Sequence, residues 1–365
     1  MMQTMKIFFR SFIILTLFLM TSSAFAGERR GEYVIGFYNL ENLFDTTHDE
    51  GKNDYEFLPD GNNRWTVDKY QKKLSNMAHA IRAMRDENKA YHTILGVAEV
   101  ENQHVLEDLV GEKEIADAHY RFVHYDSPDE RGIDVALLYR PDKFKLLESR
   151  PIPYDFNSDD IKFEKTPDER AAFKTRDALM VRGTIDGEMF AFFVAHLPSR
   201  LGDKGADLRE RGAEIIYTNA VALMKKYPGI KIVVMGDMND NPTDESMTTY
   251  MQGRENLADV GPYDFFSPFI SIYKSGIGSL KYRSDWFIFD IIQVNYNLAN
   301  AGRRSLKILP AGGDRQKPLY GRIFSAPFLT QQSGQYAGTP FRTFSNGAFI
   351  NGYSDHYPTF IKIGK

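Results

Sequence analysis

The interpretation of this chain depends most on one stretch, Ile232-Val233-Val234-Met235-Gly236-Asp237-Met238-Asn239. Its four apolar residues are typical of a buried β-strand, and the glycine allows a sharp exit from that strand. Asp237 and Asn239 lie two residues apart, so their side chains can point the same way. An aspartate there can accept a proton from water, and an asparagine can donate to a phosphate oxygen. Alone, the pattern also fits an ordinary turn with an Asx residue.

Three further segments place polar side chains at the end of an apolar run. They are Asn39-Leu40-Glu41, Gly96-Val97-Ala98-Glu99 and Ser354-Asp355-His356-Tyr357-Pro358. Functional side chains concentrate in loops at the ends of strands, and several such ends can converge on one site. Asn, Glu, Asp and His together suit a hard divalent cation and an acid/base pair acting on phosphate.

Two aspartates lie within apolar stretches, Asp290 in residues 286–292 and Asp134 between Ile133 and Val135. A buried carboxylate is costly unless it is paired, so each of them predicts a histidine partner. His196 ends another apolar run, where a histidine is more often structural than catalytic. Ser199 and Arg200 follow it closely and could donate to a phosphate.

The composition is that of a globular protein with one large or two ordinary domains. The 365 residues are 42% hydrophobic and 26% charged, which argues against disorder. There is no cysteine, so disulfides and thiolate metal sites are excluded. The net charge of −4 does not indicate tight nonspecific binding of nucleic acid.

The first 26 residues predict a secretory signal peptide. Lys6 and Arg10 precede a largely apolar run in residues 11–20, and Ala24-Phe25-Ala26 supplies a small-residue cleavage signal. The alternative, an uncleaved membrane anchor, is disfavoured because the run is shorter than the roughly 20 residues that span a bilayer. We therefore expect an exported protein, periplasmic or extracellular, with no stable membrane insertion after cleavage.

The remainder predicts a single domain from residue 31 to 365. Strand-like runs alternate with a few helices, of which the clearest are expected at about residues 66–84 and 206–226. Tight turns between some strands indicate antiparallel hairpins, whereas the helical intervals indicate crossovers. The mixture predicts an α/β protein with two stacked mixed sheets and helices outside.

The order of the motifs resembles that of the endonuclease/exonuclease/phosphatase superfamily over nearly the whole chain after the leader. The resemblance rests on Asn39-Leu40-Glu41, Glu99, the run Arg131-Gly132-Ile133-Asp134-Val135-Ala136-Leu137-Leu138-Tyr139, His196, Gly236-Asp237-Met238-Asn239, Asp290 and Ser354-Asp355-His356-Tyr357-Pro358. It implies a four-layer α/β/β/α sandwich of two packed mixed sheets flanked by helices. It also implies a metal-dependent phosphoesterase site at one edge of the sheets.

The resemblance assigns roles to individual residues. Glu99 would hold Mg²⁺, with Mn²⁺ or Ca²⁺ as alternatives, and Asn39, Glu41 and Asp355 would lie in or near its coordination shell. Asp237 would orient or deprotonate the attacking water, while Asn239 would hold the scissile phosphate. His356, polarised by Asp290, would stabilise charge in the transition state. His196 would pair with Asp134, and the substrate-binding candidates are Arg131, Ser199 and Arg200.

These expectations lead to an exported Mg²⁺-dependent phosphodiesterase, a monomer, with nucleic acid as the leading substrate class. The segment 300–350 has seven basic residues against one acidic residue and carries six or more aromatic residues that could stack on bases. Those aromatics could equally form a small core of their own. The alternatives are a phosphatase, a sphingomyelinase-like lipid hydrolase, or an inactive binding member of the same fold. A calcineurin-like metallophosphatase is disfavoured, because the first functional strand lacks an Asp-x-His pair.

Overall fold

The computed structural model describes residues 31–157, 161–162, 166, 168–169, 173–200 and 205–365. The expected signal peptide and its cleavage point lie outside these ranges. No helix within them combines the length and the apolar character that a bilayer span needs.

Twenty strands and five α-helices make up the described chain. The first ten strands are β1 (Glu32–Leu43), β2 (His92–Val100), β3 (Arg121–His124), β4 (Asp134–Tyr139), β5 (Phe144–Ile152), β6 (Ala178–Ile185), β7 (Glu188–His196), β8 (Lys231–Asp237), β9 (Gly253–Arg254) and β10 (Phe265–Phe266). The other ten are β11 (Leu280–Tyr282), β12 (Asp285–Phe287), β13 (Asp290–Asn295), β14 (Lys307–Leu309), β15 (Gly312–Gly313), β16 (Pro318–Leu319), β17 (Gly321–Ile323), β18 (Phe344–Ser345), β19 (Ala348–Phe349) and β20 (Thr359–Gly364). The helices are α1 (Val67–Asn88), α2 (Gln103–Gly111), α3 (Ala206–Lys226), α4 (Phe269–Lys274) and α5 (Tyr296–Ala299).

Two seven-stranded mixed sheets form the centre of the fold. The first has the order β14-β20-β1-β2-β4-β3, with β17 also paired to β20, and β1 and β2 run parallel. The second has the order β5-β6-β7-β8-β13-β10-β9, with β7 and β8 parallel. Neighbouring strands are otherwise mostly antiparallel. Both sheets are therefore mixed, as predicted.

The sheets pack face to face, and the larger helices cover their outer faces. Along β1 the side chains alternate, with Ile35 and Phe37 in the core shared by both sheets and Val34 and Tyr38 in the core shared with α1 and α2. Helix α3 contributes apolar side chains to the core of the second sheet. The predicted four-layer α/β/β/α sandwich is confirmed.

Glycines allow close packing at two points, one between the sheets and one within the first sheet. A Cβ at Gly96 of β2 would lie 2.7 Å from the Met235 sulfur of β8, so the two sheets nearly touch there. A Cβ at Gly36 of β1 would lie 2.5 Å from the His92 ring on the adjacent strand. Only a residue without a side chain leaves room for these contacts.

The segment 300–351 consists mainly of short strands and turns, and most of its aromatic residues are packed. Phe344 and Phe349 contact Trp65, with ring centroids 5.8 and 6.0 Å away. Phe328 lies 5.1 Å from Tyr353. These rings therefore pack into a small core within the protein, which was the expected alternative to stacking on bases.

Candidate active site

Irregular backbone at the ends of β1 and β2 brings the first two site residues together. Asn39 lies opposite Ala98 in the parallel pairing, and the register shifts on both strands just beyond this point. Glu99 has a φ of 60° and Glu41 a φ of 49°, a left-handed conformation that is strained for side chains other than glycine. Such bulges and strained residues are common beside active sites, because they redirect side chains.

The second sheet supplies its residues through ordinary strand register. His196 is opposite Asp237 in the β7–β8 pair, and Asp237 is opposite Asp290 in the β8–β13 pair. Three functional side chains therefore lie side by side at one edge. The turn after β8 places Asn239, with a φ of 50°, next to them.

Asn39 links the two halves of the site. Its amide nitrogen donates to Glu99 Oε1 at 3.1 Å and to Asp237 Oδ2 at 2.9 Å. Its oxygen accepts the Glu41 N–H at 2.9 Å. The backbone N–H of Asn42 donates to the other Glu99 oxygen at 2.9 Å, which fixes that carboxylate from both sides.

Glu99, His196 and Asp237 form a group that fits a metal ion. Each offers one ligand atom, and these three atoms all lie within 4.8 Å of one another. His196 Nε2 is 3.9 Å from Glu99 Oε1 and 3.7 Å from Asp237 Oδ2. Among the described residues, no lysine or arginine forms an ion pair with either carboxylate. Two adjacent carboxylates without such a partner suit a hard divalent cation. The donor set therefore matches the metal dependence that the resemblance implies.

Burial raises the pKa of Asp237 to about 6. His356 opposes this shift, while the carboxylates of Asp290 and Glu99 add to it. A carboxylate with a pKa near the working pH is better suited to take a proton from water than an ordinary aspartate. Its Oδ1 also accepts the backbone N–H of Asn239 at 3.0 Å, which orients the group.

The predicted pair of His356 and Asp290 is present. His356 Nδ1 lies 2.8 Å from Asp290 Oδ2, and Asp290 is completely buried. Burial alone would lower the pKa of His356, but the charges of Asp290 and Asp237 outweigh it and raise that pKa well above the usual value. The imidazole is therefore positively charged at neutral pH, with Nε2 3.8 Å from Asp237.

His196 has the opposite electrostatic environment. Burial, together with Arg176, Arg131 and His356, lowers its pKa well below the ordinary value, so the ring is neutral. Its Nδ1 is buried without a hydrogen-bond partner among the described residues. A neutral and a charged imidazole thus flank the same aspartate.

A cavity of about 640 Å³ opens onto these side chains, and its other walls include several cationic and aromatic residues together with Asp129 and Glu130. Of the predicted residues, the cavity is lined by Glu99, Arg131, His196, Ser199, Arg200, Asp237, Asn239 and His356. Asn39 and Asp290 lie behind this lining and contact it through hydrogen bonds. Arg200 also braces the turn after β8, through Nε to the Asn239 carbonyl at 2.8 Å and Nη2 to Asp240 at 2.9 Å.

The predicted pairing of His196 with Asp134 is wrong. Asp134 Oδ2 lies 3.1 Å from His124 Nε2, and its Oδ1 accepts the Ser127 N–H at 3.0 Å. His124 is opposite Ala136 on the adjacent strand, so it is the diagonal neighbour of Asp134 on the same sheet face. Asp134 is not among the residues that line the cavity.

Glu41 and Asp355 are near the metal-binding group but have other partners. Glu41 Oε2 accepts the Thr343 N–H at 2.7 Å and lies 3.9 Å from the Lys73 ammonium. Asp355 Oδ2 is 3.0 Å from Arg342 Nη2. Neither carboxylate belongs to the group formed by Glu99, His196 and Asp237.

The sequence interpretation missed three residues beside the site. Arg176 is 5% exposed, lines the cavity and donates to the Leu197 carbonyl at 3.0 Å. Ser279 donates to Asp290, and Lys73 contacts the segment that leads to Asp355. Arg176 could have been found, because the hairpin register of Leu179 with Val194 places the start of β6 beside His196.

Comparison with known proteins agrees with this geometry. A model of the endonuclease/exonuclease/phosphatase family matches residues 34–365. No curated protein sequence matches the chain.

Three solved structures share the fold. An endonuclease/exonuclease/phosphatase family protein from Bacteroides thetaiotaomicron is 15% identical, with a TM-score of 0.53, over 91% of this chain and 97% of that one. A mannosyl-6-phosphatase from the same organism is 15% identical, with a TM-score of 0.52, over 91% and 100%. D. rerio TDP2 complexed with single-strand DNA product is 13% identical, with a TM-score of 0.51, over 92% and 99%.

The fold and the site define a hydrolase of phosphoric esters. The chain belongs to the endonuclease/exonuclease/phosphatase family, whose members depend on metal ions.

Proposed function

We propose that this protein is an exported Mg²⁺-dependent phosphodiesterase that cleaves nucleic acid. The observation that carries the proposal is the group formed by Glu99, His196 and Asp237 at the base of a cavity that Arg131 and Arg176 also line. Glu99 can hold a cation there, with Asp237 beside it to accept a proton from water, while guanidinium groups can attract a phosphate.

In the proposed reaction, Asp237 accepts a proton from the water that attacks phosphorus, and the bond to the leaving oxygen breaks. Asn39 holds Asp237 and Glu99 in place through its amide. The charged His356, held by Asp290, stabilises negative charge on the phosphate oxygens. A Mg²⁺ ion bound at Glu99 would neutralise the phosphate and so make attack by water easier.

Nucleic acid is proposed as the substrate for two reasons. The cavity has Arg131, Lys174, Arg176 and Arg283 along its walls, with the Phe287 ring beside them. Cations that follow a phosphate backbone and rings that stack on bases are the usual features of sites for single strands. The similar D. rerio TDP2 was solved with single-strand DNA product.

A substrate panel tests the proposal. The chain without residues 1–26 would be incubated with Mg²⁺ and plasmid DNA, single-strand DNA, RNA, bis-p-nitrophenyl phosphate, p-nitrophenyl phosphate or sphingomyelin. We expect cleavage of nucleic acid and of the diester, complete loss of both in EDTA, and recovery with Mg²⁺. Asp237→Asn should abolish turnover, whereas the control variant Asp285→Asn, at an exposed strand end, should not.

Full activity in chelator would exclude the metal mechanism. Cleavage of p-nitrophenyl phosphate alone would instead favour a phosphatase. The structural observation behind that second candidate is the cationic lining of a cavity no larger than ordinary small-molecule sites, which suits a phosphate with two negative charges.

A further inference from the structure

Lys73 is a lysine of helix α1 whose side chain is completely buried, with its ammonium near Glu41. Its ammonium donates to Thr343 Oγ1 at 2.6 Å and to the Tyr353 carbonyl at 2.5 Å. Both acceptors belong to the segment that runs into Asp355 and His356. A buried ammonium is costly, so its position needs a partner of opposite charge.

That partner is Glu41. The carboxylate lies 3.9 Å from the ammonium, and its Oε2 also accepts the Thr343 N–H. Lys73, Thr343 and Glu41 therefore form one buried network in which the lysine and the glutamate share the same threonine. The charges of Asp355 and Glu99 also act on this ammonium.

Four of the carboxylates around the site differ in the cations that face them. Glu41 faces Lys73, and Asp355 faces Arg342 at 3.0 Å. Within the part of the chain that the structure describes, no lysine or arginine nitrogen lies within 4.0 Å of the Glu99 or Asp237 carboxylates, whose ion-pair partners are His196 and, for Asp237, also His356. Asp237 faces the charged His356 at 3.8 Å, so among the described residues Glu99 is the one of these four acids with no protein cation within 4.0 Å, because its neighbour His196 is neutral.

We propose that the Lys73 ammonium replaces a second metal ion, so that the site binds a single divalent cation on the Glu99 side and Glu41 serves as a positioning residue. This inference rests on the proposed metal-dependent function. Lys73 balances the charge of Glu41 and ties it to the segment that carries Asp355. A fixed ammonium in contact with Glu41 would repel a divalent ion from that carboxylate.

The test is a count of bound metal ions without substrate, so it does not depend on turnover. Mn²⁺ binding to the purified chain, with residues 1–26 removed, would be followed by calorimetry and by electron paramagnetic resonance at pH 7.0. We expect one ion in the wild type and two in Lys73→Met. The double variant Lys73→Met/Glu41→Gln should return to one ion. Lys72→Met removes an exposed lysine one residue away and should leave the wild-type count.

Two ions in the wild type, or one ion with unchanged affinity in Lys73→Met, would overturn the inference. If Lys73→Met does not fold, single variants decide the question. Glu41→Gln should change the Mn²⁺ dissociation constant less than about 3-fold, whereas Glu99→Gln should weaken binding at least about 10-fold. A 10-fold loss in Glu41→Gln would show that Glu41 binds the metal directly. Hydrolysis that persists in EDTA would refute the proposed function instead, whatever the metal count.

Discussion

Protonation of His92 should make the protein lose stability in mild acid. The residue is fully buried on β2, packed against Gly36 and 6.2 Å from the Phe360 ring, and both ring nitrogens lack partners among the described residues. Burial lowers its pKa to about 3, against about 6.5 in an unfolded chain. Below pH 6.5 the unfolded state therefore binds a proton that the native state does not, so stability falls as the pH falls toward 3.

The size of the effect follows from the two pKa values. At pH 8 both states are neutral and the contribution is close to zero. At pH 5 the native ring is still neutral, whereas the unfolded ring is almost fully protonated, which costs about 2 kcal/mol of unfolding free energy. His92→Leu removes the titrating group while keeping a branched side chain of similar size. The variant should therefore lose about 2 kcal/mol less than the wild type between pH 8 and pH 5.

Urea unfolding at pH 8.0, 6.5 and 5.0, followed by circular dichroism in EDTA, measures this difference. The chelator prevents bound metal from adding its own pH dependence. His104→Leu is the matched control, because that ring is 61% exposed and its loss should leave the wild-type pH dependence unchanged. Equal pH dependence in the wild type and His92→Leu would refute the reasoning. It would mean that the native ring takes up a proton about as readily as the unfolded one, for example because it gains a partner.

Three further predictions concern the site. Asp290→Asn should lower kcat by about 10-fold or more with unchanged Mn²⁺ affinity, because it removes the charge that keeps His356 protonated. Steady-state kinetics and metal titration together check this. An unchanged rate would make Asp290 purely structural. Arg176→Met should raise KM more than it lowers kcat, since the guanidinium lines the cavity without touching Asp237, and equal losses in both constants would contradict that role. Neutralising Lys174 and Arg283 together, which line the cavity, should raise KM for nucleic acid and flatten its salt dependence while a small diester is unaffected. If the small diester suffers equally, those bases act on the scissile group or on the fold.

Strand ends were predictable because a buried strand has a local signature. The apolar runs before Asp237 and Glu99 mark strands wherever they occur, and both occupy the predicted positions. Strand β5 is harder to predict, because it contains Pro151 and proline disfavours a central strand. It is tolerated because β5 is the edge strand of the second sheet.

Partner choice was less predictable than strand position. Asp134 needed a histidine, and the sequence offers several; only the pairing of β3 with β4 selects His124. Lys73 was equally hidden, because its partner Thr343 is 270 residues away and helix α1 has the ordinary pattern of a sheet cover. Contacts that depend on how two layers meet have no local signal.

The near-contact of Gly96 with Met235 links the packing of the two sheets to the activity of this enzyme. Glu99 follows Gly96 by three residues, Asp237 follows Met235 by two, and the two strands belong to different sheets. Besides the Asn39 bridge, the thickness of the interior at this crossing affects how the two carboxylates align. A single added methyl group there would act as a spacer and separate the halves of the reaction centre, leaving a protein that is folded and inactive.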